Sequence, residues 1–583
     1  MGVEFITFAV IGILIVAAAN AVGPKLAVAP ALILVPLGVA ISFLPVVSAI
    51  EVDPEWILVG VLPPLLYSAA VSMPTMDFRR DFTAISGLSV VLVVLSAVVL
   101  GFILSALIPG VNIATGIALG AIISPTDAVA TAMVKKLGAP SRVVAVLEGE
   151  SLLNDATALV LLRASVAAMA GGISFGGVAL NFVWAVVAAV VVGLVVGGVN
   201  LWARARIANS TVNTAISFTV PYVAYLPAEH LGASGLVAAV AAGLVTGRGA
   251  AKYLKPRHRV SDTENWRTVE LLLEGGVFFL MGLELWGLLG HVREEHESAT
   301  VALWVGLAAL LVTLVVRAVF VGPLVYALSR SARRGENIKP RLQDLGERLT
   351  PTDGEPVALP KRKLFGRKAV DGDELHSPEQ VARFSSRVNR KLADIDYYLS
   401  APLGRKEGAL VVWAGMRGVV TVAAAQTLPG DTASRSLLVL TAFTVAAASL
   451  LIQGGTLPWF MRALRLPDTS SEQESERDRL HLEMRGSAQR AIAESGVLDS
   501  IPGLRERLGA YMKTAEHEDD EEHHLTPIAR ANFIKARLTM IEGQRTELLQ
   551  LRDEGVYSAS VLTHELAVLD AEEISLRMRT END

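Results

Sequence analysis

The chain has 583 residues, of which 52% are apolar, and its mean hydropathy of +0.47 is too high for a protein whose whole surface meets water. It contains no cysteine, which excludes a disulfide framework, a thiolate metal site and a cysteine nucleophile. The net charge of −5 is small for this length, so the position of the charges along the chain is more informative than their sum.

Hydrophobic stretches of about 20 residues, the length that crosses a bilayer, recur from the N-terminus to about residue 463. The first, Phe5 to Val22, has no basic residue before it, so we interpret it as a spanning helix rather than a cleaved signal peptide. We predict thirteen transmembrane helices, starting near residues 4, 26, 54, 82, 111, 141, 176, 213, 231, 267, 299, 407 and 435.

Lys and Arg concentrate in alternate loops, and such residues mark the cytoplasmic side of a membrane protein. With the N-terminus outside, basic pairs such as Arg79–Arg80 and Lys135–Lys136 lie inside, whereas the acidic segment from Glu51 to Glu55 lies outside. The pattern therefore predicts a multi-pass protein of the cell membrane with its N-terminus outside.

Two hydrophilic segments interrupt the apolar pattern and divide the chain. Residues 1–328 form the first part of the predicted transmembrane region, 329–406 a cytoplasmic insert, 407–463 the last two transmembrane helices, and 464–583 a cytoplasmic helical tail. We expect the proline-containing insert to be partly disordered, with a helix near 378–400. The acidic and histidine-rich run at 516–524 is interpreted as a solvated loop rather than a metal site.

The fifth predicted span contains the sequence Ser124–Pro125–Thr126–Asp127. Proline lacks a backbone N–H and clashes with the preceding turn, so the helix is expected to break in the middle of the membrane. Unwound backbone is tolerated at that depth only beside a cavity, where its carbonyls can bind a cation. The alternative is a simple proline kink with Asp127 at a cytoplasmic mouth.

The sixth predicted span contains several polar residues. Ser151 and Asp155 are four residues apart, as are Glu150 and Asn154, so they lie on neighbouring stripes of one helix. Their oxygens are hard ligands of the kind Na⁺ prefers. Because burial penalises a charged carboxylate, Asp155 can hold a proton or a cation but not both, and this competition would couple two ion fluxes. The alternative is that these groups only hold helices together.

Arginines occur in two of the later predicted spans. Arg317 lies in the eleventh, and Arg417 lies between glycines in the twelfth, which suggests a second broken helix. A buried arginine is expected to need a carboxylate partner, and Glu150 and Asp127 are available. Two interrupted spans in opposite halves indicate a binding site between inverted repeats. Glu284 is expected at the rim of the tenth span.

Together these motifs resemble the monovalent cation:proton antiporter-1 family, which includes bacterial Na⁺/H⁺ antiporters and animal sodium/proton exchangers. The resemblance covers about residues 1–463. It depends on Gly149–Asp155 with its Asn–Asp pair, on Ser124–Asp127, on Gly415–Gly418 and on the helix that carries Arg317.

The resemblance implies an all-α fold of about thirteen membrane helices with inverted repeats and two broken, crossing helices. It also implies a homodimer that exchanges Na⁺ or Li⁺ for H⁺ by alternating access, with no cofactor, no enzymatic activity and no nucleic-acid partner. The Asn–Asp pair resembles electroneutral members. Asp155 would carry the ion with support from Asn154, surrounded by Ser151, Thr126 and Asp127, while Glu150 would pair with Arg317 and Arg417 would stabilise the helix breaks.

One position departs from this resemblance. Many relatives carry a carboxylate after Pro-Pro-Leu-Leu and an aromatic residue in the third span, whereas Ser68 follows Tyr67 here. Ser68 retains a possible ligand oxygen but no charge. An exchanger specific for K⁺ and H⁺ is therefore the main alternative.

Three other classes of function are disfavoured. The segment Gly232–Ala233–Ser234–Gly235 resembles the nucleophile motif of intramembrane serine proteases, but that chemistry needs a histidine base at membrane depth, and the later histidines fall in predicted loops or soluble segments. Channels usually repeat carbonyls or charges by symmetry. An ATP-driven pump is disfavoured because the sequence contains no phosphate-binding loop motif.

Overall fold

The computed structural model describes residues 2–26, 28–44, 52–169, 175–349, 378–466, 470–495 and 527–581. All regular secondary structure in these ranges is helical, which confirms the predicted all-α class. The chain forms two compact units. The first comprises Met1–Tyr326 and Leu403–Asp468, and the second comprises Ala327–Pro402 and Thr469–Asp583.

The helices are numbered in chain order. In the first half they are α1 Gly2–Val22, α2 Ala31–Ser42, α3 Leu62–Ser72, α4 Thr75–Arg80, α5 Phe82–Ser86, α6 Val93–Leu107, α7 Ile113–Ile123, α8 Ala128–Lys136, α9 Ser141–Met169, α10 Phe175–Arg204, α11 Ser210–His230, α12 Gly235–Tyr253, α13 Pro256–Leu283 and α14 Leu285–Glu294. A 3₁₀ turn at Gly23–Leu26 follows α1, and π-helical stretches at Trp56–Val61 and Gly87–Leu92 precede α3 and α6.

The remaining helices are α15 Ala299–Leu349, α16 Pro378–Ser400, α17 Arg405–Trp413, α18 Val419–Gln426, α19 Arg435–Ser449, α20 Gly455–Leu464, α21 Ser470–Glu494, α22 Pro527–Glu554 and α23 Ala559–Glu581. A π-helical stretch at Leu450–Gly454 joins α19 to α20. The predicted helix near 378–400 is confirmed as α16. Helix α15 continues past residue 328 to Leu349, so the first part of the predicted insert is helical rather than a loop.

Eight stretches of the described helices are long and apolar enough to cross a membrane. They lie in α1, α5–α6, α7–α8, α9, α10, α13–α14, α15 and α19–α20. A helix is present near each of the thirteen predicted starts, although α13 begins at Pro256 rather than near 267. The number of thirteen crossings and the inverted repeat stay predictions.

Side-chain caps set several helix starts in the first unit. The side chains of Asn112, Asn209 and Ser234 accept hydrogen bonds from backbone N–H groups in the first turns of α7, α11 and α12. Ser234, which resembled a protease nucleophile, thus caps α12, with its Oγ 3.4 Å from the Val237 nitrogen. This contact gives the serine a structural role.

Close contacts between helices explain why small residues are common in the first unit. A methyl group added to Gly243 of α12 would lie 2.7 Å from the carbonyl oxygen of Tyr67 on α3. One added to Gly193 of α10 would lie 2.5 Å from the carbonyl oxygen of Ala238 on α12. Both glycines therefore let helices of the same chain approach closely, as expected for packing in a membrane.

The second unit has an apolar core in which α21, α22 and α23 contribute Leu480, Ile541, Leu548, Leu562 and Leu569. All three elements are helices, as predicted for the tail. Helix α16 of the insert joins the same unit, because Arg390 Nη2 donates a 2.8 Å hydrogen bond to the Asp553 carbonyl oxygen of α22. The acidic and histidine-rich run at 516–524 lies outside the described residues.

Candidate functional site

Two helix breaks meet in the first unit. The first separates α7 from α8 at Ser124–Asp127, and the second separates α17 from α18 at Ala414–Gly418. The Asp127 backbone N–H donates a 2.8 Å hydrogen bond to the Met416 carbonyl oxygen, so the two unwound segments bind each other directly. Each break therefore satisfies part of the other's exposed backbone, which a bilayer cannot do.

Two charged side chains form hydrogen bonds with the backbone groups at the ends of the broken helices. Asp127 caps α8 by accepting a 2.9 Å hydrogen bond from the Val129 N–H, and its carboxylate also meets the backbone N–H of Val419 at the start of α18. Arg417 donates from Nε to the Ile123 carbonyl oxygen at the end of α7 (3.1 Å) and from Nη1 to the Gly415 carbonyl oxygen. The negative charge of Asp127 thus lies at the partly positive N-termini of helices, and the positive charge of Arg417 lies at their partly negative C-termini.

The partner of Arg417 differs from the one expected. Among the described residues it forms no ion pair at contact distance, and the carboxylate predicted as its partner is replaced by the carbonyl oxygens of Ile123 and Gly415. The physical reason is that a broken helix leaves its last carbonyls without intrahelical donors, and these carry partial negative charge. Arg417 is 1% exposed, and a charge buried to this extent needs such partners to offset the cost of removing it from water.

Asp155 lies in the middle of α9, beside the crossing. It is 7% exposed and faces a cavity of about 300 Å³ that Ser151, Thr126, Asp127 and Val419 also line. No donor among the described residues forms a hydrogen bond with the Asp155 carboxylate. A buried carboxylate without donors is costly when charged, so it is suited to bind a proton or a cation.

Asn154 has one satisfied and one unsatisfied end. Its Nδ2 donates to the Oγ1 of Thr126 at 2.7 Å and to the Thr126 carbonyl oxygen at 3.3 Å. Because a carbonyl can only accept, this contact assigns the amide orientation. The Oδ1 atom is then a buried acceptor without a partner among the described residues. Asn154 is not among the residues that line the Asp155 cavity, so its contact with the site is the one through Thr126.

Glu150 and Arg317 form a buried ion pair, and each is 1% exposed. Two guanidinium nitrogens bind the two carboxylate oxygens, with Nη2 to Oε2 at 2.7 Å. Arg317 Nε also donates to the Val411 carbonyl oxygen in α17 (3.0 Å), and Thr126 Oγ1 donates to Glu150 Oε1 (3.2 Å). One polar network thus connects α15, α17 and α9 to the first helix break.

Two other predicted positions lie away from this cluster. Ser68 is buried in α3, where its hydroxyl lies beside the Glu270 carboxylate of α13, and it is not among the residues that line the Asp155 cavity. Glu284, expected at the rim of the tenth span, caps the end of α13, is 4% exposed and accepts a 3.0 Å hydrogen bond from Gln426 Nε2 at the end of α18.

Sequence reasoning missed two acidic residues. Glu270 and Glu274 are one helical turn apart on α13, and both line the cavity that Asp155 faces. Glu274 also borders a neighbouring cavity of about 400 Å³ lined by α1, α2 and α8 residues. The signal that could have found them is an acidic pair at helical spacing within the apolar sequence Val-Glu-Leu-Leu-Leu-Glu-Gly-Gly.

The sequence of this chain is similar to those of known sodium/proton exchangers. The sequence profile described as "Sodium/hydrogen exchanger, transmembrane" matches residues 6–342. An uncharacterised Na⁺/H⁺ exchanger of Mycobacterium tuberculosis is 26% identical over 99% of this chain and 98% of its own length. A low-affinity Na⁺/H⁺ antiporter of Synechocystis is 26% identical over 82% of this chain and 77% of its own length.

The fold has a counterpart among solved structures. The sodium proton antiporter MjNhaP1 of Methanocaldococcus jannaschii matches with a TM-score of 0.54 and 15% identity, covering 79% of this chain and 98% of its own. The profile match extends over more than half of the chain and includes both Asp127 and Asp155. The resemblance inferred from the motifs is thus confirmed, and the chain belongs to the sodium/hydrogen exchanger family of multi-pass membrane cation/proton antiporters.

Proposed function

We propose that this protein exchanges Na⁺ or Li⁺ for H⁺ across the cell membrane by alternating access, with Asp155 binding the cation and the proton in competition. The observation that carries the proposal is the state of the Asp155 carboxylate. It is buried, faces a cavity and receives no hydrogen bond from the described residues. Such a carboxylate gains a partner when either ion binds.

The neighbouring oxygens support this assignment. Ser151 lies one turn from Asp155 on the same cavity wall, and Asn154 supports the site from outside this wall by binding Thr126. Thr126 and Asp127 line the cavity from the first helix break. Hydroxyl, carbonyl and carboxylate oxygens are the ligands that hard cations favour.

The stoichiometry follows from which carboxylate is available. Asp127 is hydrogen-bonded to helix starts and Glu150 is paired with Arg317, so both already have partners in this structure. We assign the exchange to Asp155 alone, with Glu270 and Glu274 of the same cavity not carrying an ion, so that one Na⁺ is exchanged for one H⁺ and no net charge crosses the membrane. We further propose a homodimer that serves pH homeostasis, with the N-terminus outside and the insert and tail in the cytoplasm.

A second candidate is exchange of K⁺ for H⁺. Ser68 contributes no charge at a position where the family resemblance implies a carboxylate. A Bacillus subtilis relative described as a sodium, potassium, lithium and rubidium/H⁺ antiporter is 28% identical over 44% of this chain and 39% of its own length. Cation preference is therefore the property that separates the two candidates.

The test is cation-driven proton flux in proteoliposomes that hold a pH-sensitive dye, with Na⁺, Li⁺ or K⁺ added. For Asp155→Asn we expect flux to fall to the level of protein-free vesicles, because a neutral amide can neither release a proton nor neutralise a cation. Asp431→Asn, which changes an exposed loop carboxylate, is the matched control and should retain wild-type flux.

Each outcome of this experiment decides between the candidates. Na⁺-driven flux that an imposed membrane voltage does not alter supports electroneutral Na⁺/H⁺ exchange. Flux with K⁺ alone supports the second candidate instead. Flux that persists in Asp155→Asn contradicts the proposed role of this carboxylate.

A further inference from the structure

The contact between α3 and α13 places a carboxylate beside Ser68. The Ser68 hydroxyl is buried, and its neighbour is the carboxylate of Glu270. Glu270 in turn lines the cavity that Asp155 faces, whereas Ser68 does not. Position 68 of α3 carries no charge, and the carboxylate of Glu270 on α13 lies beside it.

We propose that Glu270 determines the apparent affinity of the exchanger for its cation, because it supplies from α13 the negative charge that is absent at position 68 of α3. This inference rests on the proposed exchange at Asp155. It concerns how readily the cation reaches and occupies the cavity, and not the competition for Asp155 itself.

The other charges of the cavity favour this role for Glu270. The lining residues include five carboxylates and one lysine, namely Asp127, Glu148, Asp155, Glu270, Glu274 and Lys135. Glu148 is neutralised by Lys135 at 3.0 Å, and Asp127 is bonded to helix starts. In the described part of the chain, neither Glu270 nor Glu274 forms an ion pair at contact distance.

A cavity with an excess of one charge sign raises the local concentration of the opposite ion by about 10-fold or more. The basic group that acts on Glu270 is Arg267, one turn earlier on α13, and in the described part of the chain the two form no ion pair at contact distance. Glu270 therefore adds a negative charge to the cavity wall. Removing that charge should weaken cation capture more than it slows the exchange step.

A purely structural role for Glu270, in which it only tethers α13 to α3 through Ser68, predicts a different result. Loss of a tether would lower the maximal flux and the thermal stability together. Loss of a cation-attracting charge would raise the cation concentration needed for half-maximal flux, the apparent KM, with little change in maximal flux. The two roles are therefore separable by kinetics.

The experiment is a charge swap in proteoliposomes, with Na⁺ titrated at fixed pH. Glu270→Gln should raise the apparent KM about tenfold with maximal flux largely retained. Ser68→Glu combined with Glu270→Gln should bring the apparent KM most of the way back, because the charge returns to the same contact from the other helix. Glu264→Gln, an exposed residue of α13, is the control and should leave both values unchanged.

Several results would overturn the inference. One is an unchanged apparent KM in Glu270→Gln, and another is a loss of maximal flux that the double variant does not reverse. If Glu270→Gln does not fold, Glu270→Asp retains the charge and should keep an apparent KM close to wild type; a tenfold rise there would also count against it. Flux in Asp155→Asn would instead refute the proposed function, so the two failures are distinguishable.

Discussion

Replacing Arg317 with alanine is expected to destabilise the protein by about 3–5 kcal/mol, because it leaves the buried Glu150 carboxylate without its counter-charge. Glu150 is 1% exposed, and the guanidinium binds both of its carboxylate oxygens. Arg317 also binds the Val411 carbonyl oxygen near the end of α17, so the same substitution frees one side of the second helix break.

The measurement is thermal aggregation of the detergent-solubilised protein, followed by size-exclusion chromatography. Arg317→Ala should aggregate at a markedly lower temperature than wild type. The double variant Glu150→Gln, Arg317→Gln removes both charges at once. It should lose less thermal stability than Arg317→Ala, because no unpaired charge remains. If the single variant is as stable as the wild type, or if the double variant is worse than the single, the ion pair does not stabilise this fold as argued.

Gly418→Ala is expected to abolish or severely reduce exchange in a protein that still folds. A methyl group at Gly418 would overlap the Asp127 carboxylate, which caps α8 and meets the start of α18. The backbone angles of Gly418, φ −126° and ψ −159°, are accessible to alanine, so the effect is steric rather than conformational. The carboxylate must leave its place at the crossing of the helix breaks.

The expected loss of flux is about tenfold or more, because displacement of a site group by about 1 Å has large effects on function. Loss of the cap contacts adds a stability cost of about 1 kcal/mol. The control is Gly198→Ala on α10, where an added methyl group has no atom within 4 Å. Wild-type flux in Gly418→Ala would show that the position of the Asp127 carboxylate is not required for exchange.

The residues around Asp155 were predictable because their signals are local. Pro125 removes a backbone donor in an apolar segment, and Ser151 and Asp155 share one stripe of a helix whatever packs against it. Polar groups at membrane depth are costly, so their presence in the sequence already indicates a site. The pairing of Glu150 with Arg317, separated by 167 residues, was inferred from the family resemblance rather than from spacing, and the structure brings the two together.

Other features depend on which helices meet, and sequence reasoning did not anticipate them. The burial of Glu284 was not anticipated, and it results from the contact with Gln426 at the end of α18. Arg417 was assigned a carboxylate partner, but the carbonyl ends of two broken helices lie closer. The association of α16 with α22 joins an insert and a tail that are far apart in sequence.

The amino-acid sequence by itself determined that the chain is an all-helical membrane protein, where two of its helices break and which carboxylate is the candidate ion carrier. These properties follow from apolar length, from proline at the first break and glycine at the second, and from the cost of burying charge, all of which act within one helix. Only the tertiary structure decided that Glu270 of α13 lies beside Ser68 and shares a cavity with Asp155. The physical reason is that helix periodicity specifies which face of a helix is polar, whereas the partner of that face is selected by the packing of the whole bundle.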